Sequence, residues 1–251
     1  NFDKVNTILY YGDADRLQHF SEGFGKFSSP NVKARDYSVT KAGEYFAKAG
    51  YAQRDTDGYL VDQRGKRLSI ELTWGKGASP VYDQMMDKLK EDAKKAGVEL
   101  LLDGQQSTVY FRKMLEKRHK MGFLGWGATP PFPRYYQHFH SKNAYDEKGN
   151  VKLQTNNMNS YSDDHMDKLC ETVRGAKTEE ELREASWEIQ QIIHDQALFI
   201  PALKTSYVRM GNWRWMKWPQ TKLYEFCSPT SYIPTESYLY WIDEEVKKET
   251  L

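Results

Sequence analysis

Between residues 68 and 126 the sequence alternates between two periodicities, and few folds accommodate that alternation. LSIELTW (68–74) repeats every second residue, with Leu68, Ile70 and Leu72 on one side, the pattern of a half-buried strand. From Pro80 to Ala96 the period becomes helical, with Val81, Met85, Leu89 and Ala93 on one stripe and Gly97 as the stop. VELLL (98–102) is a buried-type strand. Ser107 to His119 reads as a helix capped by Ser107 and carrying Val109, Phe111, Met114 and Leu115, and MGFLGW (121–126) is a third short apolar strand. Strand, helix, strand, helix, strand with short connections predicts a parallel sheet flanked by helices, because parallel neighbours need a crossover between them. The fold class expected is α/β.

Elsewhere the pattern is mostly helical. SVTKAGEYFAKAGY places Ala42, Tyr45, Phe46 and Ala49 on one face and ends at Gly50. TDGYLVDQRGKRLSIELTW has the form of a hairpin around Gly65. Ser162 is the expected cap of DDHMDKLCETVRGA, with Asp163 and Asp164 suited to a helix start. Thr178 and Glu181 form a capping box before a buried face of Leu182, Ala185, Ile189, Ile192 and Ile193. ALFIPALKT resembles a strand, and the last fifty residues are irregular and aromatic, closing on a charged tail, DEEVKKETL, read as a short exposed helix.

A chain of 251 residues with net charge +1 has no charge excess to draw nucleic acid or an anionic membrane. It has no apolar run long enough to span a bilayer. It opens on Asn1 without a signal-peptide pattern, read as a removed leader or a piece of a longer protein. Cys170 and Cys227 are read as free thiols, since nothing in sequence brings them within bonding distance. His138 and His140 are read as a partly exposed pair, because zinc needs at least three protein ligands and no third stands at ligand spacing. There is no Gly-x-Ser-x-Gly elbow, and GKG (75–77) lacks the further glycine and lysine of a phosphate cradle. Neither a catalytic residue nor a metal or cofactor is expected.

Binding remains. The chain holds 17 Tyr, 11 Phe and 7 Trp, residues favoured where a surface must meet mixed apolar and polar groups. In GFLGWGATPPFPRYYQHFH (122–140), Gly125 to Ala128 follow a predicted parallel strand, where α/β folds place ligands. Pro130, Pro131 and Pro133 stiffen the segment and remove backbone donors. A loop presenting Trp126 to a peptide backbone or ring, and a turn that plugs Trp126 into the core, both satisfy these residues.

Several stretches in fixed order resemble the C-terminal half of the dipeptide and oligopeptide (family 5) solute-binding proteins of ABC importers. They are NTILYYGDADRLQHF, YSVTKAGEYFAKAGY, TDGYLVDQRGKRLSIELTW, MGFLGWGATPPFPRYYQHFHSKNA, NNMNSYSDDHMDKLCETV and EELREASWEIQQIIHDQALFIPAL, spread over nearly the whole chain. The resemblance implies a lobe of the type II, Venus-flytrap fold, with a mixed or parallel sheet flanked by helices. It implies an entry segment over 1–27, the C-terminal α/β lobe over 28–201, and a return segment over 202–251 toward an N-terminal lobe. It further implies a periplasmic, monomeric, non-catalytic protein that holds a peptide or modified peptide and delivers it to membrane permease subunits.

In oligopeptide binders the Gly-Trp loop continues Ala-Asp, and that Asp meets the peptide's amino terminus; here Thr129 stands in its place. A hydroxyl does not neutralise an ammonium, a pairing worth about 1.5–3 kcal/mol when desolvated. In this the loop is similar to the branch that binds modified or microcin-like peptides. The contact residues implied are Trp126, Gly127, Thr129 and Arg134, with Trp74 and Tyr161 behind them, and Asn157, Asn159 and Ser160 supplying polar groups. Arg134 suits an anionic group or is a plain surface charge. An α/β hydrolase, or a relative binding a metal chelate or sugar, is the alternative.

Overall fold

The structure is a computed structural model describing residues 1–125, 131–205, 211–217 and 240–250. It divides into two units, Asn1–Lys204 and Thr205–Leu251. Helix α1 (Phe2–Leu9) opens the first, with the Asn1 side chain accepting from the Lys4 N–H at 3.0 Å, and a short strand β1 (Asp15–Arg16) follows. Helix α2 (Val39–Lys48) is capped by Ser38, whose hydroxyl accepts from the Lys41 N–H at 3.2 Å. Its expected face forms but lies at the surface: no residue of α2 is buried, and Tyr45 is 64% exposed.

Strands β2 (Gln53–Arg54) and β3 (Leu60–Val61) pair antiparallel. The expected turn around Gly65 is built on Asp62, whose carboxylate accepts from the Arg64 and Lys66 N–H groups, each at 2.9 Å. The hairpin beyond it is reduced to a single bridge between Val61 and Arg67, because the following residues are committed to another sheet.

That sheet is the predicted one. It uses β4 (Ser69–Gly75), α3 (Pro80–Lys95), β5 (Glu99–Gln105), α4 (Ser107–Leu115) and β6 (Met121–Gly122). Its three strands lie in the order β5-β4-β6, and both pairings are parallel. Two expectations need correction. Ser107 is the first residue of α4 rather than its cap, and the helix stops at Leu115 instead of about 119, because the chain turns through Lys117 at φ 55°. The third strand is two paired residues long, extended by the Phe123 N–H donating to the Thr73 carbonyl at 2.9 Å.

The faces of β4 are covered differently. Leu72 and Trp74 pack with Leu100, with Met85 and Met86 of α3, and with Val5 of α1 in one apolar cluster. On the opposite face Thr73 is completely buried and donates to Asp103 Oδ2 at 2.9 Å. Lys113 of α4 reaches Glu71 Oε1 at 2.6 Å and Asp103 Oδ2 at 2.7 Å, and Gln105 Nε2 reaches Asp103 Oδ1 at 2.5 Å. At Gly122 the chain passes close to Met114: a Cβ there would sit 2.6 Å from Met114 Sδ, so any larger residue needs the end of that side chain to move.

A helical layer completes the unit: α5 (Tyr136–Phe139), α6 (Asp164–Gly175) and α7 (Glu179–Asp195). Asp163, not Ser162, caps α6, accepting from the His165 and Met166 N–H groups at 3.1 and 2.8 Å. Thr178 caps α7 as expected, but Glu181 reaches back to the Lys177 N–H at 3.1 Å, one residue beyond the cap. Tyr135, Phe139, Met166, Leu169, Cys170, Ala185, Ile189 and Ile193 form the core here, with Ile192 only partly buried. Cys170 is a free buried thiol whose pKa burial pushes up to about 12; Cys227 lies outside the described residues. Strand β7 (Leu203–Lys204) returns antiparallel to β1. In the second unit β8 (Met216–Lys217) pairs antiparallel with β9 (Trp241–Ile242), and the charged tail forms α8 (Glu244–Thr250).

Gln190 locks α7 to the segment before α2. Its amide accepts from the Ser29 N–H at 2.7 Å and donates to the Phe27 carbonyl at 2.7 Å and to the Tyr135 hydroxyl at 2.9 Å, all buried. Gln190→Leu leaves the Ser29 N–H and the Phe27 carbonyl without this partner, and a buried orphan costs about 1–3 kcal/mol. The expected outcome is a loss of about 2 kcal/mol or more, read as a lower urea midpoint at unchanged slope.

Asp103 supplies a pH prediction. Burial alone pushes its carboxyl up, but the bonds from Lys113, Gln105 and Thr73 together outweigh burial and hold it below the usual carboxylate range. A depressed folded pKa gives stability that is complete above the unfolded value of about 3.9 and lost as pH falls through the folded one. Asp103→Asn is therefore expected to lower stability at pH 7 and to flatten the loss on acidification below about pH 4, measured by urea unfolding across that range.

Candidate functional site

Parallel strands bring their carboxyl ends to one side of the sheet, and the helices that follow begin there. At that side, Gly75 ends β4, Ser107 begins α4 just after β5, and Phe123 to Gly125 follow β6. Between them is an open cavity of about 290 Å³. Gly75 and Ala78 line it from the turn before α3, Tyr82 from α3, Ser107, Tyr110 and Phe111 from α4, and Phe123 and Gly125 from beyond β6. None of these side chains carries a charge, so the walls are rings, small residues and the three hydroxyls of Tyr82, Ser107 and Tyr110.

The rings are fixed by partners within the fold. Tyr82 meets Phe123 edge-on, with centroids 5.3 Å apart and planes at 71°. The Tyr110 hydroxyl donates to the Phe123 carbonyl at 2.5 Å, tying α4 to the end of β6. Burial, and secondarily the proximity of Tyr82, push the Tyr110 phenol well above its ordinary range, so it stays a neutral donor. Behind the cavity, Trp74 Nε1 donates to Asp83 Oδ1 at 2.9 Å, and the same carboxylate receives the Gly77 N–H at 3.3 Å. The Lys76 N–H to Gln105 carbonyl bond, 2.8 Å, closes the strand ends beneath it.

Of the contact residues expected from sequence, Trp126, Gly127 and Thr129 lie outside the described residues, where the chain continues from Gly125. Trp74 is 6% exposed and belongs to the apolar cluster behind the cavity. Arg134 is exposed beside the buried Tyr135. Tyr161 is half-buried against the helical core, with burial raising its pKa, and its N–H is held by Asn157 Oδ1 at 3.0 Å. Trp74 is not among the residues that line the cavity, and Tyr161 packs against the other core. The Asn157 amide is spent on the fold: it is fully buried and donates to the carbonyls of His140 and Tyr161 at 3.2 and 2.8 Å. Asn159 is bonded to the Leu198 carbonyl at 2.8 Å.

The cavity residues Tyr82, Tyr110, Phe111 and Phe123 were not among those expected. Their signal in sequence is positional, aromatic residues just beyond the carboxyl ends of strands. Phe111, one of the apolar residues read on this helix, is 50% exposed and lines the cavity. The expectation of a partly exposed His138 and His140 also needs correction. They are 7% and 4% exposed, since α5 turns both into the core, where Phe20 packs edge-on to His138 at 5.7 Å and Tyr136 lies 4.2 Å from His140. Burial lowers the His138 pKa. Among the described residues no group of three His, Cys, Asp or Glu is placed to hold a metal, and no helix is long and apolar enough to cross a membrane.

Residues 1–147 match the family model of the middle region of bacterial extracellular solute-binding proteins, family 5. No curated protein matches the chain in sequence. Among solved structures, the oligopeptide-binding protein AppA of Bacillus subtilis, in complex with a nonapeptide, is similar at TM-score 0.70 and 17% identity, over 96% of this chain and 45% of its own. The periplasmic binding protein DppA of Helicobacter pylori, in complex with the peptide STSA, is similar at 0.65 and 20%, over 81% and 36%. NikZ of Campylobacter jejuni, in complex with Ni(L-His), is similar at 0.67 and 19%, over 81% and 39%. The chain thus spans less than half the length of each of these three, and the likeness establishes a shared periplasmic-binding-protein fold. With more than half of its residues matched by the family model, the chain belongs to the family 5 bacterial extracellular solute-binding proteins.

Proposed function

We propose that this chain is the C-terminal part of the substrate-binding component of an ABC importer for oligopeptides or modified peptides, with no catalytic role. Ligand lies between two lobes, held by backbone hydrogen bonds and ring faces, and the lobes close by a hinge motion. Residues 1–27 enter from the N-terminal lobe, 28–201 form the C-terminal lobe, and 202–251 return. The protein works in the periplasm as a monomer and hands its ligand to membrane permease subunits.

The observation that carries this reading is the uncharged, ring-walled cavity at the carboxyl ends of the parallel strands, in a chain of this family. Its position is where α/β sheets receive ligands. The sequence continues from its lining residue Gly125 directly into Trp126, Gly127 and Thr129, which we assign as contacts together with Arg134; Trp74 and Tyr161 support them from behind. Thr129 accepts a hydrogen bond but carries no charge, so the ligand's amino terminus is blocked or read elsewhere, and Arg134 receives an anionic group. Among the described residues none that lines the cavity is a carboxylate, histidine or cysteine, and the hydrolase reading is left without support.

The test uses the full-length protein, unfolded to remove carried-over ligand and refolded, and followed by thermal melting with free, N-acetylated and phosphate-bearing short peptides. A peptide at a hundred times its dissociation constant is expected to add about 2.7 kcal/mol, seen as a raised midpoint. Blocked or anionic peptides are expected to stabilise most, and Trp126→Ala to abolish the effect. Preference for free amino termini would overturn the role given to Thr129. Silence toward every peptide, with a response to nickel-histidine or an oligosaccharide, would overturn the peptide reading.

A further inference from the structure

We infer that the cavity walled by Tyr82, Tyr110, Phe111 and Phe123 is a side-chain pocket that selects one uncharged aromatic or large aliphatic group of the ligand. The inference rests on the peptide-binding reading for the rest of the ligand, but the pocket has chemistry of its own.

Size is the first argument. An apolar cavity of about 150 Å³ holds one benzene ring, and this one measures about 290 Å³. It accommodates a phenyl or indole group with room for its attachment, and it is open, so a side chain enters from the cleft without breaking the core. Charge is the second. A cationic or anionic side chain entering here finds no counter-ion among the lining residues and leaves water uncompensated. The Tyr110 hydroxyl is occupied by the Phe123 carbonyl, and the Asp83 carboxylate by Trp74 Nε1 and the Gly77 N–H. What faces the occupant is the edge-to-face pair of Tyr82 and Phe123, the half-exposed ring of Phe111 and the neutral hydroxyls of Tyr82 and Ser107, surfaces that reward a ring and offer a charge no partner. Gly75 and Ala78 line the cavity without filling it, and a Cβ at Gly75 would make an ordinary contact with the Tyr110 ring at 3.5 Å.

The test is calorimetric titration of the full-length protein with N-acetylated tripeptide amides. Alanine occupies two positions, and Phe, Trp, Leu, Ala, Lys or Glu occupies each position in turn. N-acetyltryptophanamide serves as a probe of the pocket alone. At one position Phe, Trp and Leu are expected to bind roughly tenfold or more tightly than Ala, with Lys and Glu weaker than Ala. Ala78 lies exposed in a turn, so Ala78→Phe fills the pocket without entering the core. It is expected to bring the Phe-to-Ala ratio to about one, while Phe111→Ala lowers the ratio by removing one wall. Equal affinities at every position, a preference for Lys or Glu, or an aromatic preference that survives Ala78→Phe would overturn the pocket while leaving peptide binding intact. Binding of N-acetyltryptophanamide that is lost in Ala78→Phe, with no peptide bound, would keep the pocket and overturn the peptide reading. Binding of neither overturns both.

Discussion

Strand β4 has neighbours on four sides. It pairs along seven residues with β5, meets β6 on its other edge, packs α3 against Leu72 and Trp74, and presents Glu71 and Thr73 to the side of α4. A parallel strand cannot be joined to its partner by a tight turn, so each connection must leave at a carboxyl end, cross the sheet as a helix and re-enter at the far side. All the exits therefore gather at one side of the sheet. The cavity there follows from this: strand ends and helix starts meet at different heights, and side chains of three separate segments have to close the gap.

The two faces of β4 are held by different physics. Burial of Leu72, Trp74, Leu100, Met85 and Met86 removes apolar area from water, a force with little preference for register. The opposite face is specific. Thr73 and Asp103 are register partners across β4 and β5, and Lys113 bonds both Asp103 and the neighbouring Glu71. A one-residue slip would move Asp103 opposite Leu72 or Trp74 and turn a carboxylate toward the apolar cluster. The ionic face thus fixes which pairing the apolar face stabilises.

This division explains what was legible in the sequence. The α3 stripe and the alternation in β4 are periodic, and both elements appear where expected. The end of α4 carried no glycine or proline; it is set by the turn at Lys117, which no pattern marks. Ser162 and Asp163 are both good caps, and only geometry chooses Asp163. The burial of His138 and His140 depends on Phe20 and Tyr136, and on Asn157 donating to the His140 carbonyl, contacts that spacing along the chain does not reveal. Trp74 was legible as a strand end, but it packs in the apolar cluster and does not line the cavity. Tyr82, Tyr110 and Phe123 were not legible, because each belongs to a different element and they become neighbours only when the crossovers close. The excess of rings pointed to a binding surface without saying which rings.

Three polar groups around the cavity are spent on the fold. The Tyr110 hydroxyl holds the Phe123 carbonyl, Trp74 Nε1 holds Asp83, and the Lys76 N–H holds the Gln105 carbonyl. Each bond joins a helix or turn to a strand end, so the same groups that satisfy the backbone also immobilise the walls. What remains at the walls is the ring faces of Tyr82, Phe111 and Phe123 and the neutral hydroxyls of Tyr82 and Ser107, already in position. A ligand group meeting such walls gains contact area without having to order the protein first, and that saving in conformational entropy favours a rigid aromatic occupant over a long flexible one.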